Sequence, residues 1–293
     1  MSNASNTDLA VLEQVTVIVV TYESAHCLPA LTPLLSACPH VIIVDNASSD
    51  ATVELAKQQF PHAQVIALST NLGFGAANNR ALDRVHTPFA FLLNPDCEAS
   101  PEDLAILVHE AQRFPGAAVL APQLTNARGE PEINYRWPAT RWRSKGPGAT
   151  GPLCVGFVCG AAMLCALANM GDAARFDERF FLYYEDDDLC LRLFTNGRAM
   201  VVIPRVAVVH RSRGSVRGPS RSKAEYLRGY HHAQSKLWFA QKHQSGTEAR
   251  QLRTRTLALA LASWPLRALA LSPRLLARLN GRIMGLIRWR PHG

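Results

Sequence analysis

In the first third of the chain the apolar positions come in short unbroken runs rather than in alternation. Those at 15–20 and 41–44 are β-branched and of strand length, the pattern of strands buried on both faces. Between them, 25–37 has the length of a helix, although Pro29 and Pro33 count against one. The cluster Asp45, Asn46, Ala47, Ser48, Ser49, Asp50 supplies a turn and a cap for an apolar-periodic helix at 52–60. Further strands are predicted at 65–68 and 89–93. Strands alternating with helices predict an α/β fold with a parallel sheet and crossover helices, whose ligands gather beyond the carboxyl ends of the strands.

Those ends are polar. Thr21, Tyr22 and Glu23 follow the first run and Asp45 and Asn46 the second. A loop from Asn71 through Gly73, Gly75 and Asn78 to Asn79 follows the third, and Asn94, Pro95 and Asp96 the fourth. Each alone is ordinary turn or cap chemistry. In succession on one sheet edge they form a candidate ligand site. A carboxylate on a rigid strand end, Asp96, suits a hard divalent metal, Mg2+ or Mn2+, that shares its other positions with phosphate and water.

The second half is less regular. Residues 126–151 are rich in Arg, Trp, Pro and Gly and predict a long surface loop or a lid beside the site. An apolar, small-residue stretch covers 153–168, and short strands are predicted at 200–203 and 206–209, the second ending at His210. The densest acids, Glu185, Asp186, Asp187 and Asp188, follow the aromatic run Phe180, Phe181, Leu182, Tyr183, Tyr184. Four adjacent acids repel one another unless a cation or a proton in transit uses them, or unless a helix N-terminus favours them. A carboxylate there could act as general base toward a hydroxyl.

Composition adds a charge argument. The 293 residues, 48% hydrophobic, allow a sizeable core, and a net charge of +8 points to an anionic partner. The positive charge concentrates after residue 240, where Arg253, Arg267, Arg278 and Arg288 punctuate leucines, Trp264 and Trp289, and Pro265 and Pro273 are expected to break the segment into short helices. No nucleic-acid recognition motif accompanies it, and its apolar stretch is too short to span a bilayer. It reads as a basic amphipathic surface for an anionic membrane, or as helices packed on the protein or on a second subunit in a homodimer. Seven scattered cysteines without a C-x-x-C pair indicate reduced thiols and no zinc site. The polar N-terminus lacks the pattern of a secretory leader, and both features fit the cytoplasm.

Thr21 and Tyr22, the string from Val44 to Asp50, the loop from Asn71 to Asn79, the tetrapeptide Leu93, Asn94, Pro95, Asp96 and the block at 176–193 together resemble glycosyltransferase family 2. In order and spacing they are most similar to its bacterial rhamnosyltransferase branch, over residues 15–215. The resemblance implies a GT-A type, Rossmann-like domain at 15–240, after a disordered 1–14 and before a basic helical tail at 241–293. It also implies inverting transfer of a sugar from a nucleotide-sugar donor to a hydroxyl of a polyprenyl-lipid-linked glycan acceptor, in cell-surface polysaccharide synthesis at the inner face of the cytoplasmic membrane. The donor would be thymidine diphosphate rhamnose, or else a uridine diphosphate hexose. By the same resemblance Thr21, Tyr22 and Asp45 hold base and ribose, with Glu23 and Asn94 in the donor site, and Asn71, Gly73, Gly75 and Asn78 approach diphosphate and sugar. Asp96 anchors the metal in an N-P-D variant of D-x-D, and His210 is the candidate second ligand. Asp186 is the general base, with Glu185 and Asp188 in support, and Asp187 adds a like charge where the family has valine. A nucleotidyltransferase or another nucleotide-diphosphate-binding protein is the competing reading. The former would carry a glycine-rich loop bearing Lys or Arg after the first strand, and 21–27 has neither glycine nor Lys or Arg. A glycoside hydrolase would need two facing carboxylates and no nucleotide site.

Overall fold

The computed structural model describes residues 10–136, 148–212, 214–216, 220–269 and 272–291. Most of the N-terminal stretch expected to be disordered, and the middle of the expected loop at 126–151, lie outside the described residues. The chain divides into two compact units. One comprises Met1–Leu72, Ala76–Phe176 and Leu189–Arg217; the other comprises Gly73–Gly75, Asp177–Asp188 and Gly218–Gly293.

The first unit is built on one sheet. Its β-branched runs form β1 (Val15–Thr21), β2 (His40–Asp45), β3 (Gln64–Ala67) and β4 (Phe89–Leu93). These lie parallel in the order β3-β2-β1-β4. The crossovers are α1 (Leu28–Ala37), α2 (Thr52–Gln59) and α3 (Phe74–Leu82). Pro29 falls in the first turn of α1, where no N–H is needed, so the helix forms despite Pro33 inside it.

The expectation of a wholly parallel sheet is corrected. The sheet is completed by β5 (Cys97–Glu98), β6 (Ala117–Thr125), β7 (Leu153–Val155), β8 (Ala162–Ala166) and β9 (Ala199–His210). β8 runs antiparallel to both of its neighbours, β4 and β6. An apolar run buried on both faces reads the same in either direction, so the sequence at 153–168 carries no sign of this reversal. The two short strands expected at 200–203 and 206–209 are likewise one strand. Its pairing with β6 shifts between Ile203 and Ala207, which leaves Pro204, Arg205 and Val206 as an irregularity that excuses the proline from the ladder. Arg205 there reaches the buried carboxylate of Glu110 at 2.5 Å. Glu110 lies on α4 (Pro101–Arg113), which opens with a reciprocal capping box between Ser100 and Asp103. A short α5 (Leu167–Met170) follows β8. Val11, Val17, Ile43, Phe91, Leu104, Leu164 and Ile203 belong to a single buried core.

In the second unit the acid block opens α6 (Glu185–Thr195), and three long helices follow: α7 (Arg221–His243), α8 (Gly246–Leu269) and α9 (Pro273–Arg288). The α7 and α9 backbones touch, because a Cβ on Gly229 or Gly281 would overlap the carbonyl oxygens of Arg278 or Tyr226. Trp289 is fully buried, edge-on to Trp238 with ring centroids 5.9 Å apart, and Arg253 ties α8 to the Leu286 carbonyl at 2.7 Å. Pro273 starts α9 as expected, but Pro265 does not break α8. The carbonyl deprived of a donor by Pro265 is that of the exposed Leu261, near the helix end. Among the described residues no helix is long and apolar enough to cross a membrane.

Candidate active site

β1 and β2 end side by side, with Thr21 opposite Asp45. Both side chains are buried, and Thr21 Oγ1 donates to Asp45 Oδ1 at 3.0 Å. Ser48 donates to the same carboxylate through its backbone N–H at 2.8 Å and its hydroxyl at 2.5 Å. Glu23, in the left-handed region at φ 52°, accepts from the Ser49 N–H and hydroxyl at 2.8 and 2.9 Å. The loops after the two strands therefore form one hydrogen-bonded cradle, from which Tyr22 presents an exposed ring. Asn46 Oδ1 accepts from the Leu72 N–H at 2.7 Å and so fixes the loop that contains Asn71.

Asp96 follows β4 and is buried. Its Oδ2 accepts the Gly214 and Ser215 backbone N–H groups at 2.9 and 3.0 Å. Its Oδ1 is buried and has no hydrogen-bond partner among the described residues. That oxygen faces His210 Nε2 at 3.8 Å, too far for a hydrogen bond and within the span of two donors each ~2.1 Å from a shared ion. Pairing of β5 with β9 sets Cys97 opposite His210, and Asp96, Cys97 and His210 form a group able to hold a metal ion. Burial, reinforced by the Asp96 charge, pushes the Cys97 thiol well above its usual pKa, so oxygen and imidazole are the better donors. Asn94 stands two residues before, its buried Oδ1 also without a partner among the described residues. The loop that supplies the two amides is itself held: Ser24 Oγ donates to the Ser215 carbonyl at 2.7 Å, and His26 Nε2 lies 2.7 Å from the Gly214 carbonyl.

In the second unit Tyr183 and Tyr184 both adopt φ 68°, a left-handed pair of aromatic residues immediately before the acids. Glu185, Asp186, Asp187 and Asp188 occupy the first turn of α6, as the helix-terminus reading anticipated. Their environments differ. Asp188 is fully buried and paired with Lys242 Nζ at 2.6 Å and His243 Nε2 at 2.7 Å, which anchors the helix. Glu185 is buried, and burial, followed by the charges of Asp186 and Asp187, raises its carboxyl well above the usual range; its Oε2 has no partner among the described residues. Asp186 is half-buried and accepts the Asp187 N–H at 2.9 Å. Gly73, at φ 89°, belongs with this segment: a Cβ there would overlap the Phe181 carbonyl, and Phe74 N–H donates to that oxygen at 3.1 Å. Gly75 lies in the first turn of α3. Further along that helix Asn78 is buried, and Asn79 exchanges two hydrogen bonds with the Phe176 backbone, each 2.9 Å long.

Residues 16–168, more than half of the chain, match the sequence model of the family described as glycosyl transferase family 2. The chain belongs to glycosyltransferase family 2. A similar protein, the N-acetylglucosaminyl-diphospho-decaprenol L-rhamnosyltransferase of Mycobacterium tuberculosis, is 27% identical over 84% of this chain and 91% of its own length. A low-salt glycan biosynthesis hexosyltransferase of Haloferax volcanii is 26% identical over 65% of the chain and 64% of its own. Among solved structures, the mannosyltransferase of Pyrobaculum calidifontis in complex with GDP-Man and Mn2+ superposes with a TM-score of 0.55 at 16% identity, covering 94% of this chain and 86% of the other. The glycosyltransferase fold is thus of GT-A type, with a helical C-terminal part.

Within this glycosyltransferase the structure brings together Thr21 with Asp45, Asp96 with His210, and Gly73 with the segment before the acid block. Sequence reasoning missed Cys97, the amides of Gly214 and Ser215, and the Lys242 and His243 pair on Asp188. Backbone donors leave no trace in residue type. Lys242 and His243 were legible only as two of many basic residues near the tail.

Proposed function

We propose that the chain is an inverting rhamnosyltransferase that transfers from thymidine diphosphate rhamnose to a hydroxyl of a polyprenyl-diphosphate-linked glycan, at the cytoplasmic face of the membrane, in cell-surface polysaccharide synthesis. The mycobacterial relative is by name an L-rhamnosyltransferase acting on a diphospho-decaprenol-linked sugar, which supports rhamnose as the sugar and a lipid-linked acceptor. The observation that carries the catalytic reading is the buried Asp96 Oδ1, without a hydrogen-bond partner among the described residues and turned toward His210. These two residues would hold a divalent metal, and an imidazole donor favours Mn2+ over Mg2+. When bound, such an ion neutralises charge on the donor diphosphate. Thr21, Tyr22, Glu23 and Asp45 shape the nucleotide cradle, with Asn71, Gly73, Gly75, Asn78 and Asn94 in the remainder of the donor site. Asp186, half-buried beside the buried Glu185, takes the proton of the acceptor hydroxyl. Glu185 beside it supports that role: burial raises its carboxyl well above the usual range, which favours the protonated form and a donated hydrogen bond.

The test is calorimetry of a panel of nucleoside diphosphates with and without Mn2+, followed by hydrolysis of the matching nucleotide sugars. Metal-dependent binding led by thymidine diphosphate is expected. Equal binding of all nucleotides without metal would overturn the reading.

A further inference from the structure

Asp96 and His210 face each other through Oδ1 and Nε2, which leaves the other ring nitrogen of His210 to be accounted for. An imidazole offers Nε2 to a cation only while its proton sits on Nδ1. The surroundings of Nδ1 therefore decide whether the ring is fit for the role. Ser212 Oγ lies 3.4 Å from it and Glu132 Oε2 4.0 Å from it.

Glu132 comes from a part of the chain remote from His210, and its backbone is fixed. After β6 the chain reverses at Asn126, whose Oδ1 accepts the Arg128 and Glu130 N–H groups at 2.8 and 3.1 Å. The returning segment lies back along β6. Thr125 is bridged to Pro131, the Glu132 N–H donates to the Leu124 carbonyl at 2.8 Å, and Gln123 Nε2 donates to the Glu132 carbonyl at 3.0 Å. β6 in turn pairs with β9, setting Thr125 opposite Val209, the neighbour of His210. On the other side of the ring, His210 pairs with Cys97, and the Arg211 N–H donates to the Asp96 carbonyl at 2.9 Å. The sheet itself thus brings the carboxylate to the imidazole.

Among the described residues the Glu132 carboxylate meets no cationic group besides His210. Its side chain is 34% exposed against 14% for His210, so the carboxylate is free to turn inward to hydrogen-bond distance of a ring that is held. The Ser212 hydroxyl can donate or accept and by itself fixes neither tautomer, whereas an ionised carboxylate only accepts. Asp96 Oδ1 is the same kind of acceptor on the Nε2 side. Without an opposing acceptor the proton would settle on Nε2 and occupy the lone pair that an ion needs.

We propose that Glu132 is a positioning residue for the metal site: by accepting the Nδ1 proton it keeps the Nε2 lone pair of His210 turned toward Asp96 Oδ1. This rests on the metal role proposed above for Asp96 and His210, and adds a residue that acts through His210.

The test compares E132A, E132Q and S212A in the full chain. Mn2+ affinity, read from the EPR signal of the free ion without nucleotide, should fall about tenfold or more in E132A, the loss typical when a ligating histidine is deprived of its outer partner. E132Q should stay within about threefold of the wild type, because an amide oxygen accepts the same N–H. In the metal-free protein, with its imidazoles neutral, 15N shifts should place a larger share of the His210 proton on Nδ1 in the wild type than in E132A. Absence of Mn2+ binding by the wild type would count against the metal reading, and the 15N shifts would then decide on Glu132 alone. Wild-type Mn2+ affinity in E132A, an E132Q as weak as E132A, or His210 shifts indifferent to E132A would each overturn the proposal. Shifts that follow S212A instead would also overturn it and give the role to the hydroxyl.

Discussion

Asp96 and Glu185 are both buried carboxylates with one oxygen unpartnered among the described residues, yet they are surrounded in opposite ways. Asp96 receives two backbone N–H groups on its other oxygen and faces an imidazole. Glu185 faces two more acids. The first arrangement leaves an oxygen suited to a cation; the second raises the carboxyl pKa and favours the proton. A buried acid is therefore assigned its role by what surrounds it rather than by its burial.

The comparison breaks most sharply at Asp96. Asp96→Asn should lower transfer by roughly a thousandfold and abolish Mn2+-dependent nucleotide binding, with circular dichroism unchanged. Full activity in excess chelator would remove Asp96 from the metal role. Asp186→Asn should cost about 100-fold in kcat, as for loss of a general base, and leave donor affinity unaltered in calorimetry. Wild-type turnover would move the base to another acid of the block. Gly73→Ala forces a Cβ onto the Phe181 carbonyl at a positive φ, and should cost ~2–3 kcal/mol in urea denaturation with a parallel loss of activity. An unchanged midpoint would contradict the close approach. The smallest effect on turnover belongs to Glu185→Gln, within about tenfold of wild type, because an amide resembles the protonated form that burial favours.

That last variant also reads the sign of the proton linkage. The folded-state pKa of Glu185 lies above its unfolded value, so the native state holds the extra proton and wild-type stability falls as pH rises between the two values. Glu185→Gln should therefore match the wild type near pH 4 and exceed it at neutral pH. The gap should grow by up to ~1.4 kcal/mol per pH unit across that window, measured by denaturation at a series of pH values.

Much of the first unit was legible because its strands are unbroken β-branched runs with polar residues at their ends, which is how Thr21, Asp45 and Asp96 were found. The direction of β8 was not, since a doubly buried strand has no facial pattern. Pro204 divided β9 on paper because proline excludes a ladder bond, and the irregularity that accommodates it is visible only against β6. Pro265 misled in the same way, as a helix near an exposed end tolerates the lost bond. The acids at 185–188 were conspicuous, but their separation into an anchored Asp188, a Glu185 whose carboxyl is raised by burial and a half-buried Asp186 depends on Lys242, His243 and burial, all remote in sequence or absent from it.

The paired left-handed tyrosines carry a consequence for the order of assembly. Neither Tyr183 nor Tyr184 would choose its conformation in a short peptide, at a local cost on the order of 1–3 kcal/mol each. The corner therefore closes only after the partners of Tyr184 on α7, His232 and Phe239, are in place to enforce it. As the chain is synthesised, α7 emerges later than the acids it helps to present. A nascent chain can thus complete much of its sheet while its acid block remains unassembled, so the acids reach their folded arrangement only with the C-terminal helices.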